Sequence, residues 1–199
     1  MQKRHNLADN VIWLEKARKQ AESADENLNK TVFVDIETTG ISIDTEEILQ
    51  VSIIDDNGTV LFNHYIKPTH HTAWEEAESI NHISPVMVAD EKTIYYYRNE
   101  ISTIINSAEL IVGYNHEYFD LPFLAEAGID INNELSTYDV MQHFSDYRKE
   151  RCNRYDGYKR FKLLEVCDYF GYDAQNLHNS LADVYATRYC YHKLKELEH

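Results

Sequence analysis

The chain has 199 residues, of which 43% are hydrophobic and 27% are charged, and its formal net charge is −15. This much apolar sequence is enough for one domain with a substantial core. The negative charge argues against a protein that coats nucleic acid through bulk positive potential. The cysteines, Cys152, Cys167 and Cys190, are odd in number and form no Cys-x-x-Cys pair, so neither a disulfide framework nor a structural zinc site is indicated.

The two ends of the chain are expected to lie outside the main domain. Residues 1–30 contain apolar positions at helical spacing followed by a polar stretch, which predicts an N-terminal helical extension. Residues 197–199, "LEH", resemble the start of a vector-encoded tag, which leaves residues 31–196 as the predicted domain. The sequence has no signal-peptide core and no run near the roughly eighteen apolar residues of a spanning helix. We therefore expect a cytoplasmic protein that does not contact a membrane.

Strand and helix patterns alternate after residue 30. The predicted strands are residues 31–37, a hairpin over 48–68 that turns at Asp56-Asn57-Gly58, residues 109–115 and residues 136–144. The predicted helices are residues 71–90, 92–108, 118–129 with Gly128 at the end, 161–173 and 180–198. This order of elements predicts an α/β fold with a mixed sheet.

The first predicted strand carries two acids, Asp35 and Glu37, with only Ile36 between them. Alternation along a strand points both acids to the same face, roughly 6 to 7 Å apart. A buried, unpaired carboxylate is costly or takes up a proton, so the pair calls for compensation, most simply by a bound cation. The alternative is a frayed strand on which both acids are solvated.

A third acid, Asp120, follows the predicted strand 109–115 within a stretch that also contains Phe119 and Phe123. We expect Asp120 one turn into the next helix, where an acid in so apolar a setting is either exposed or bound to a ligand. The alternative is an acid that the helix macrodipole stabilises, with Pro122 at the start of the helix.

A fourth acid, Asp183, lies five residues after His178. On one continuous helix these residues would lie about 140° apart, so His178 is expected to precede the helix if the two share a site. Ser180 is predicted to cap the helix, with Asp183 as the acid of a capping box. In the alternative interpretation, Asp183 only caps the helix and His178 is a loop histidine.

Together these segments resemble the three exonuclease motifs of the DEDDh family, the DnaQ-like proofreading 3'-5' exonucleases typified by the epsilon subunit of bacterial DNA polymerase III. The matching segments are "VDIETTG", "YNHEYFDLPFL" and "HNSLADVYAT", in the family's order and spacing. The resemblance covers about residues 31–193 and implies a ribonuclease H-like fold with a five-stranded mixed sheet flanked by helices. Tyr114 departs from the pattern, because members often carry His before the Asn.

The resemblance implies a site for two Mg²⁺ or Mn²⁺ ions. Its metal ligands would be Asp35, Glu37, Asp120 and Asp183. Carboxylate oxygens suit these hard cations, and two ions about 3.5 to 4 Å apart can stabilise both the attacking and the leaving oxygen. His178 would be the general base for the attacking water. The implied product is a nucleoside 5'-monophosphate.

The resemblance also implies where the substrate binds. The turn Thr38-Thr39-Gly40 would receive the 3'-terminal nucleotide, and Gly40 would permit its close approach. Further candidates for contacts with this nucleotide are His82, within the segment "INHISPVMVAD", and Asn115 and Phe119.

Residues 148–162 form a basic segment that the family motifs do not include. It holds seven of the 19 Lys and Arg residues, interleaved with Tyr155, Tyr158 and Phe161. Cations mixed with aromatic rings suit a single strand, since they give phosphate contacts and stacking faces together. The candidate contacts are Arg151, Arg154 and Arg160. The alternative is a solvated charged loop.

The leading prediction is a metal-dependent 3'-5' exonuclease that acts on single-stranded 3' ends, with DNA favoured over RNA. An exoribonuclease that trims RNA or degrades short oligonucleotides shares every motif, because contacts to the 2'-OH cannot be located from sequence. The third interpretation is a non-catalytic module that binds nucleic acid or a polymerase and keeps a relic of the site. The presence of all five catalytic residues argues against it. A DNA polymerase is a candidate partner.

Overall fold

The computed structural model describes residues 31–174 and 177–198, so the predicted N-terminal helix and residue 199 lie outside the described residues. Within them, five strands form one sheet in the order β3-β2-β1-β4-β5. The strands are β1 (Thr31–Thr38), β2 (Ile48–Asp55), β3 (Val60–Tyr65), β4 (Leu110–Gly113) and β5 (Ser136–Asp139). β2 runs antiparallel to β1 and β3, whereas β4 runs parallel to β1 and β5. The predicted five-stranded mixed sheet is confirmed.

Helices flank this sheet. They are α1 (Glu75–Asn81), α2 (Pro85–Val88), α3 (Ile94–Asn106), α4 (Asp120–Glu126), α5 (Val140–Arg148), α6 (Leu163–Phe170) and α7 (Ser180–Leu197). None of the helices in the described ranges is long and apolar enough to cross a membrane. Leu197 ends α7, and Glu198 accepts a hydrogen bond from the Tyr138 hydroxyl (3.0 Å). The tag assignment for residues 197–199 stays a prediction.

Two predicted elements differ from the structure by more than a few residues at their ends. The single helix expected over residues 71–90 is divided, because His82 ends α1 in the left-handed region (φ 59°) and Pro85 begins α2. The strand expected over residues 136–144 ends at Asp139. The carboxylate of Asp139 accepts the backbone N–H groups of Met141 and Gln142 and so starts α5.

The central strand β1 separates two cores. Val32, Val34 and Ile36 pack with α3 and α4 on one face of the sheet. Phe33 points to the opposite face and packs in the core that includes α6 and α7. Because strand residues alternate, the odd-numbered acids of β1 lie on the same face as Phe33. The fold therefore places them beneath α7, which packs on β1 and β2.

Candidate active site

Polar side chains of β2 hold the start of α7 over the two acids of β1. The Oγ atoms of Ser52 and Ser180 are 2.6 Å apart, and the Asn179 side-chain amide donates to Gln50 Oε1 at 3.3 Å. In the sheet, Ser52 and Gln50 are the β2 partners of the two acids. Sequence reasoning missed these contacts, although Gln50 and Ser52 are polar residues at alternate positions between apolar residues of β2.

The residue that caps α7 is Asn179, so the prediction that Ser180 is the N-cap is wrong. The Asn179 side chain accepts a hydrogen bond from the backbone N–H of Ala182 at 3.4 Å. Ser180 is instead the first helical residue, and its side chain is fully buried against Ser52. The hydroxyl joins the helix to the sheet rather than capping the helix.

His178 precedes α7, as predicted. It adopts a left-handed backbone conformation (φ 72°) and is exposed. Its backbone N–H lies 3.3 and 3.2 Å from the two carboxylate oxygens of Asp183. The loop that presents the His178 imidazole therefore also orients the Asp183 carboxylate.

The four predicted metal ligands come together beside β1. Asp35, Glu37 and Asp183 each contribute an oxygen to one group, in which these atoms all lie within 4.8 Å of one another. Asp120 is the first residue of α4 rather than one turn into it, and it is buried. Its Oδ1 accepts the backbone N–H of Ile36 at 2.9 Å, which fixes this carboxylate against the strand between the two acids of β1.

Burial raises the pKa of all four acids, and repulsion from the other acids adds to the rise for Asp35 and Glu37. Burial raises the pKa of Asp35 well above its usual value, and the charges of the other three acids add to the shift. Burial, followed by the charges of Asp183 and Asp120, raises the pKa of Glu37 to about 8. Burial raises the pKa of Asp120 to about 7 and that of Asp183 to about 6. The cluster cannot hold all its negative charges at neutral pH without a counter-charge.

This donor set fits a hard divalent cation. Carboxylate oxygens are the ligands that Mg²⁺ and Mn²⁺ prefer, and three of them are already within coordinating reach of a common point. Within the described ranges, no Lys or Arg forms an ion pair with any of the four acids. A bound divalent cation would supply the counter-charge that the raised pKa values call for.

The turn Thr38-Thr39-Gly40 uses its hydroxyl groups internally. Thr38 Oγ1 donates to the Gly40 carbonyl at 2.5 Å. Thr39 Oγ1 donates to Glu46 Oε2 at 2.7 Å and accepts the Glu47 N–H at 2.8 Å. A Cβ at Gly40 would lie 2.8 Å from Glu46 Cδ, so a larger residue there would displace the Glu46 side chain that Thr39 contacts. Thr38 and Thr39 are both buried, whereas Gly40 is partly exposed, so Gly40 is the residue of the turn that a nucleotide can reach.

His82 is exposed, and its neighbour Asn81 is the residue that reaches the site. The buried Asn81 side chain donates to the Thr38 carbonyl at 3.2 Å. It also hydrogen-bonds to Glu37 and so opposes the rise in the pKa of that acid. Sequence reasoning singled out the segment around His82 but not Asn81.

The other predicted substrate residues lie at the start of α4. Asn115 has φ 60°, and the partly buried Phe119 packs its ring 4.8 Å from that of Phe123. The Arg160 guanidinium lies 5.7 Å from the ring centroid of Tyr118, which is 64% exposed and two residues before Asp120. Arg160 therefore lies beside the segment that leads into Asp120.

Arg151 and Arg154 make local contacts within the basic segment. Arg151 pairs with Asp156 at 3.6 Å and lies 5.5 Å from the ring centroid of Tyr158. Arg154 is exposed, and its backbone N–H lies 3.4 Å from Cys152 Sγ. Of the three predicted arginines, Arg160 is thus the one with a described contact to the start of α4.

The five-stranded mixed sheet and the converging acids define a nuclease of the ribonuclease H-like class. Residues 32–191 match the RNase_T family model, described as "Exonuclease", and the chain belongs to this family of DEDDh-type exonucleases. The predicted family, fold and enzyme class are confirmed.

A relative in Escherichia phage 186, named "uncharacterized exonuclease CP81", is 27% identical over 161 residues. The match covers 76% of this chain and 81% of that protein.

Solved structures of exonuclease I share the fold. The E. coli enzyme in complex with a dT13 oligonucleotide has a TM-score of 0.68 and 20% identity, over 83% of this chain and 40% of that one. The zinc-bound form of an E. coli exonuclease I complex with single-stranded DNA gives the same TM-score and identity, over 85% of this chain and 40% of that chain. The present chain thus spans about two fifths of exonuclease I.

Proposed function

We propose that this protein removes nucleotides from the 3' ends of single-stranded nucleic acid, with DNA favoured over RNA, and that it uses two Mg²⁺ or Mn²⁺ ions. The observation that carries the proposal is the group formed by Asp35, Glu37 and Asp183, with Asp120 held beside it. The exonuclease I structures with single-stranded oligonucleotides support the choice of substrate.

Each residue of the site has a defined part in this reaction. The bound cations supply positive charge for the scissile phosphate and for the attacking water. The four carboxylates hold this charge, and the His178 N–H keeps Asp183 oriented. The His178 imidazole accepts a proton from the attacking water. The water oxygen bonds to phosphorus, and the bond from phosphorus to the 3' oxygen of the preceding nucleotide breaks. This oxygen takes up a proton and becomes the new 3'-hydroxyl end, and a nucleoside 5'-monophosphate leaves.

The start of α4 receives the strand. Arg160 offers charge to the phosphates, and the exposed Tyr118 ring beside it offers a stacking face. Arg151 and Arg154 extend the positive surface along the same segment. The terminal nucleotide contacts the Thr38-Thr39-Gly40 turn at Gly40, because both threonines are buried and their hydroxyls are already engaged.

The test compares single-stranded DNA and RNA of the same sequence, labelled at either end, with Mg²⁺, Mn²⁺ or EDTA. Degradation from the 3' end gives a ladder from 5'-labelled strands and free mononucleotide from 3'-labelled strands. Asp35→Asn is the control, because it removes a central ligand while relieving repulsion in the metal-free site. It should lose turnover and melt no lower than the wild type without metal.

Other outcomes would contradict specific parts of the proposal. The reverse labelling pattern would contradict the 3'-5' direction, and faster loss of RNA would favour the exoribonuclease. No turnover of either strand with either metal would leave the non-catalytic module as the better interpretation. A DNA polymerase partner and a cytoplasmic location stay predictions.

A further inference from the structure

A histidine that the proposed reaction does not use lies buried behind the acids. His116 is completely inaccessible to solvent. Neither of its ring nitrogens has a hydrogen-bond partner within the described residues. Its Nδ1 lies 3.5 Å from Oδ2 of Asp139, which is itself only 4% exposed. A buried imidazole next to a buried carboxylate is costly unless the contact has a structural or functional role.

Asp139 fixes the segment before α4 with both of its oxygens. Oδ1 accepts the Asn115 N–H at 3.1 Å, and Oδ2 faces the His116 ring. Burial alone would raise the pKa of Asp139, but the His116 ring and the backbone N–H groups of Gln142 and Asn115 hold it below its usual value. One carboxylate therefore holds the Asn115 backbone, faces the His116 ring and caps α5.

His116 is in turn joined to the helix that carries Asp120. Its carbonyl accepts the N–H of Leu121 at 2.9 Å, directly after the acid. The ring fits because residue 113 is glycine, since a Cβ there would lie 2.4 Å from the His116 Cβ. A continuous set of contacts thus runs from Asp139 through His116 to the first turn of α4.

We propose that His116, held by Asp139, is a positioning residue for Asp120. The ring fixes the segment 115–120, so that the Asp120 carboxylate stays against the Ile36 N–H and faces the other acids. Loss of this support lets the carboxylate move, which weakens metal binding without changing any ligand. The catalytic part of this proposal rests on the proposed function, whereas the position of Asp120 does not.

The test uses two substitutions of similar size in the full-length chain. His116→Leu fills the space but cannot contact Asp139, whereas His116→Asn places an amide near the position of Nδ1. Loss of a residue that supports a metal ligand typically costs about 10- to 100-fold in metal affinity or activity. We expect His116→Leu to weaken Mn²⁺ binding, measured by calorimetry, and to lower kcat by factors in this range. KM for the single strand should change little, and His116→Asn should restore most of the loss.

A spectroscopic measurement tests the position of Asp120 without metal or substrate. The NMR resonance of the Ile36 amide should shift in metal-free His116→Leu, because its hydrogen bond to Asp120 is disturbed. Asp139→Asn keeps the side-chain volume, should shift the same resonance, and covers the case in which His116→Leu does not fold. Ser145→Ala is the matched control, since it removes a different buried polar contact, to the Met141 carbonyl of α5.

The outcomes separate the two proposals. An unchanged Ile36 resonance together with wild-type Mn²⁺ affinity in folded His116→Leu would show that His116 only fills the core. Equal effects of Ser145→Ala would show general destabilisation and would also overturn the role. A wild-type protein without turnover would contradict the proposed function, while the Ile36 resonance would still decide the role of His116.

Discussion

Two helices deliver an acid to the same strand, but they hold it in different ways. At the start of α4, Asp120 is only 3% exposed and accepts a hydrogen bond from the strand itself. At the start of α7, the partly exposed Asp183 accepts its hydrogen bonds from the preceding loop residue, His178. The Asp120 carboxylate is thus anchored to the sheet, whereas the Asp183 carboxylate is coupled to the loop that presents the proposed base. Two carboxylates of one site can therefore differ in rigidity, because one accepts its hydrogen bond from a strand and the other from a loop.

The largest expected effect concerns the α7 side. His178→Ala should lower kcat by about a hundredfold or more, as is typical when a general base is lost. KM should change little, because the imidazole acts on the water and not on the bound strand. Single-turnover and steady-state rates on labelled single strands measure this effect. Wild-type rates in the variant would make His178 a loop histidine whose backbone alone matters.

Removal of each acid should also change the free energy of unfolding by a different amount. Asp120→Ala leaves the buried Ile36 N–H without its acceptor, which should cost about 1–3 kcal/mol in the free energy of unfolding. Asp183→Ala should cost no more than about 1 kcal/mol, because water can reach the exposed His178 N–H. Both are measured by urea unfolding at pH 5 without metal, where the raised pKa values keep repulsion low. Equal losses would remove the distinction between an anchored and a loop-held acid.

Metal-free stability should fall as pH rises. The folded pKa values of Asp183, Asp120 and Glu37, at about 6, 7 and 8, lie above those of the unfolded chain. The folded state therefore binds more protons than the unfolded state between about pH 4 and pH 8, so the stability present at low pH is lost across this window. The melting temperature in EDTA should be lower at pH 8 than at pH 5, and Mg²⁺ should reduce the difference. A melting temperature that rises with pH would contradict the raised pKa values.

The smallest expected effect concerns the strand-binding surface next to α4. Arg160→Ala should flatten the slope of log affinity against log salt by about 0.7, the value for one lost phosphate contact on a single strand. Arg151→Ala is the matched comparison and should change the slope less, since Arg151 already pairs with Asp156. Binding is measured by fluorescence anisotropy at several salt concentrations, without divalent metal. An unchanged slope for Arg160→Ala would leave this segment a solvated loop.

The sequence predicted the sheet and the acids because their signals are local. Alternation placed Asp35 and Glu37 on one face, and the angular separation of residues five apart placed His178 before the helix. The cap of α7 was mispredicted, because Ser180 and Asn179 are both good capping residues. A contact with Ser52, far away in the chain, decides between them.

Other features depend on contacts between distant elements. The Thr39 hydroxyl points inward because it contacts the Glu46 side chain and the Glu47 N–H. No local sequence pattern predicts that these two residues lie against Thr39. The end of β5 depends on Asp139, whose carboxylate starts a helix where the apolar pattern allowed a longer strand. Predictions from periodicity therefore succeed within elements and fail where a side chain joins two of them.

The inward-facing threonines have a consequence for which ends the protein can process. A pocket that recognised bases through Thr38 and Thr39 hydroxyls would prefer some nucleotides over others. Their hydroxyls contact Gly40 and Glu46, which leaves the partly exposed Gly40, a residue without a side chain that could select a base. In the proposed reaction, each removed nucleotide exposes a new and different end. If the contacts at the turn do not depend on the base, successive 3' ends bind there equally well, and the rate of removal does not fall at particular sequences.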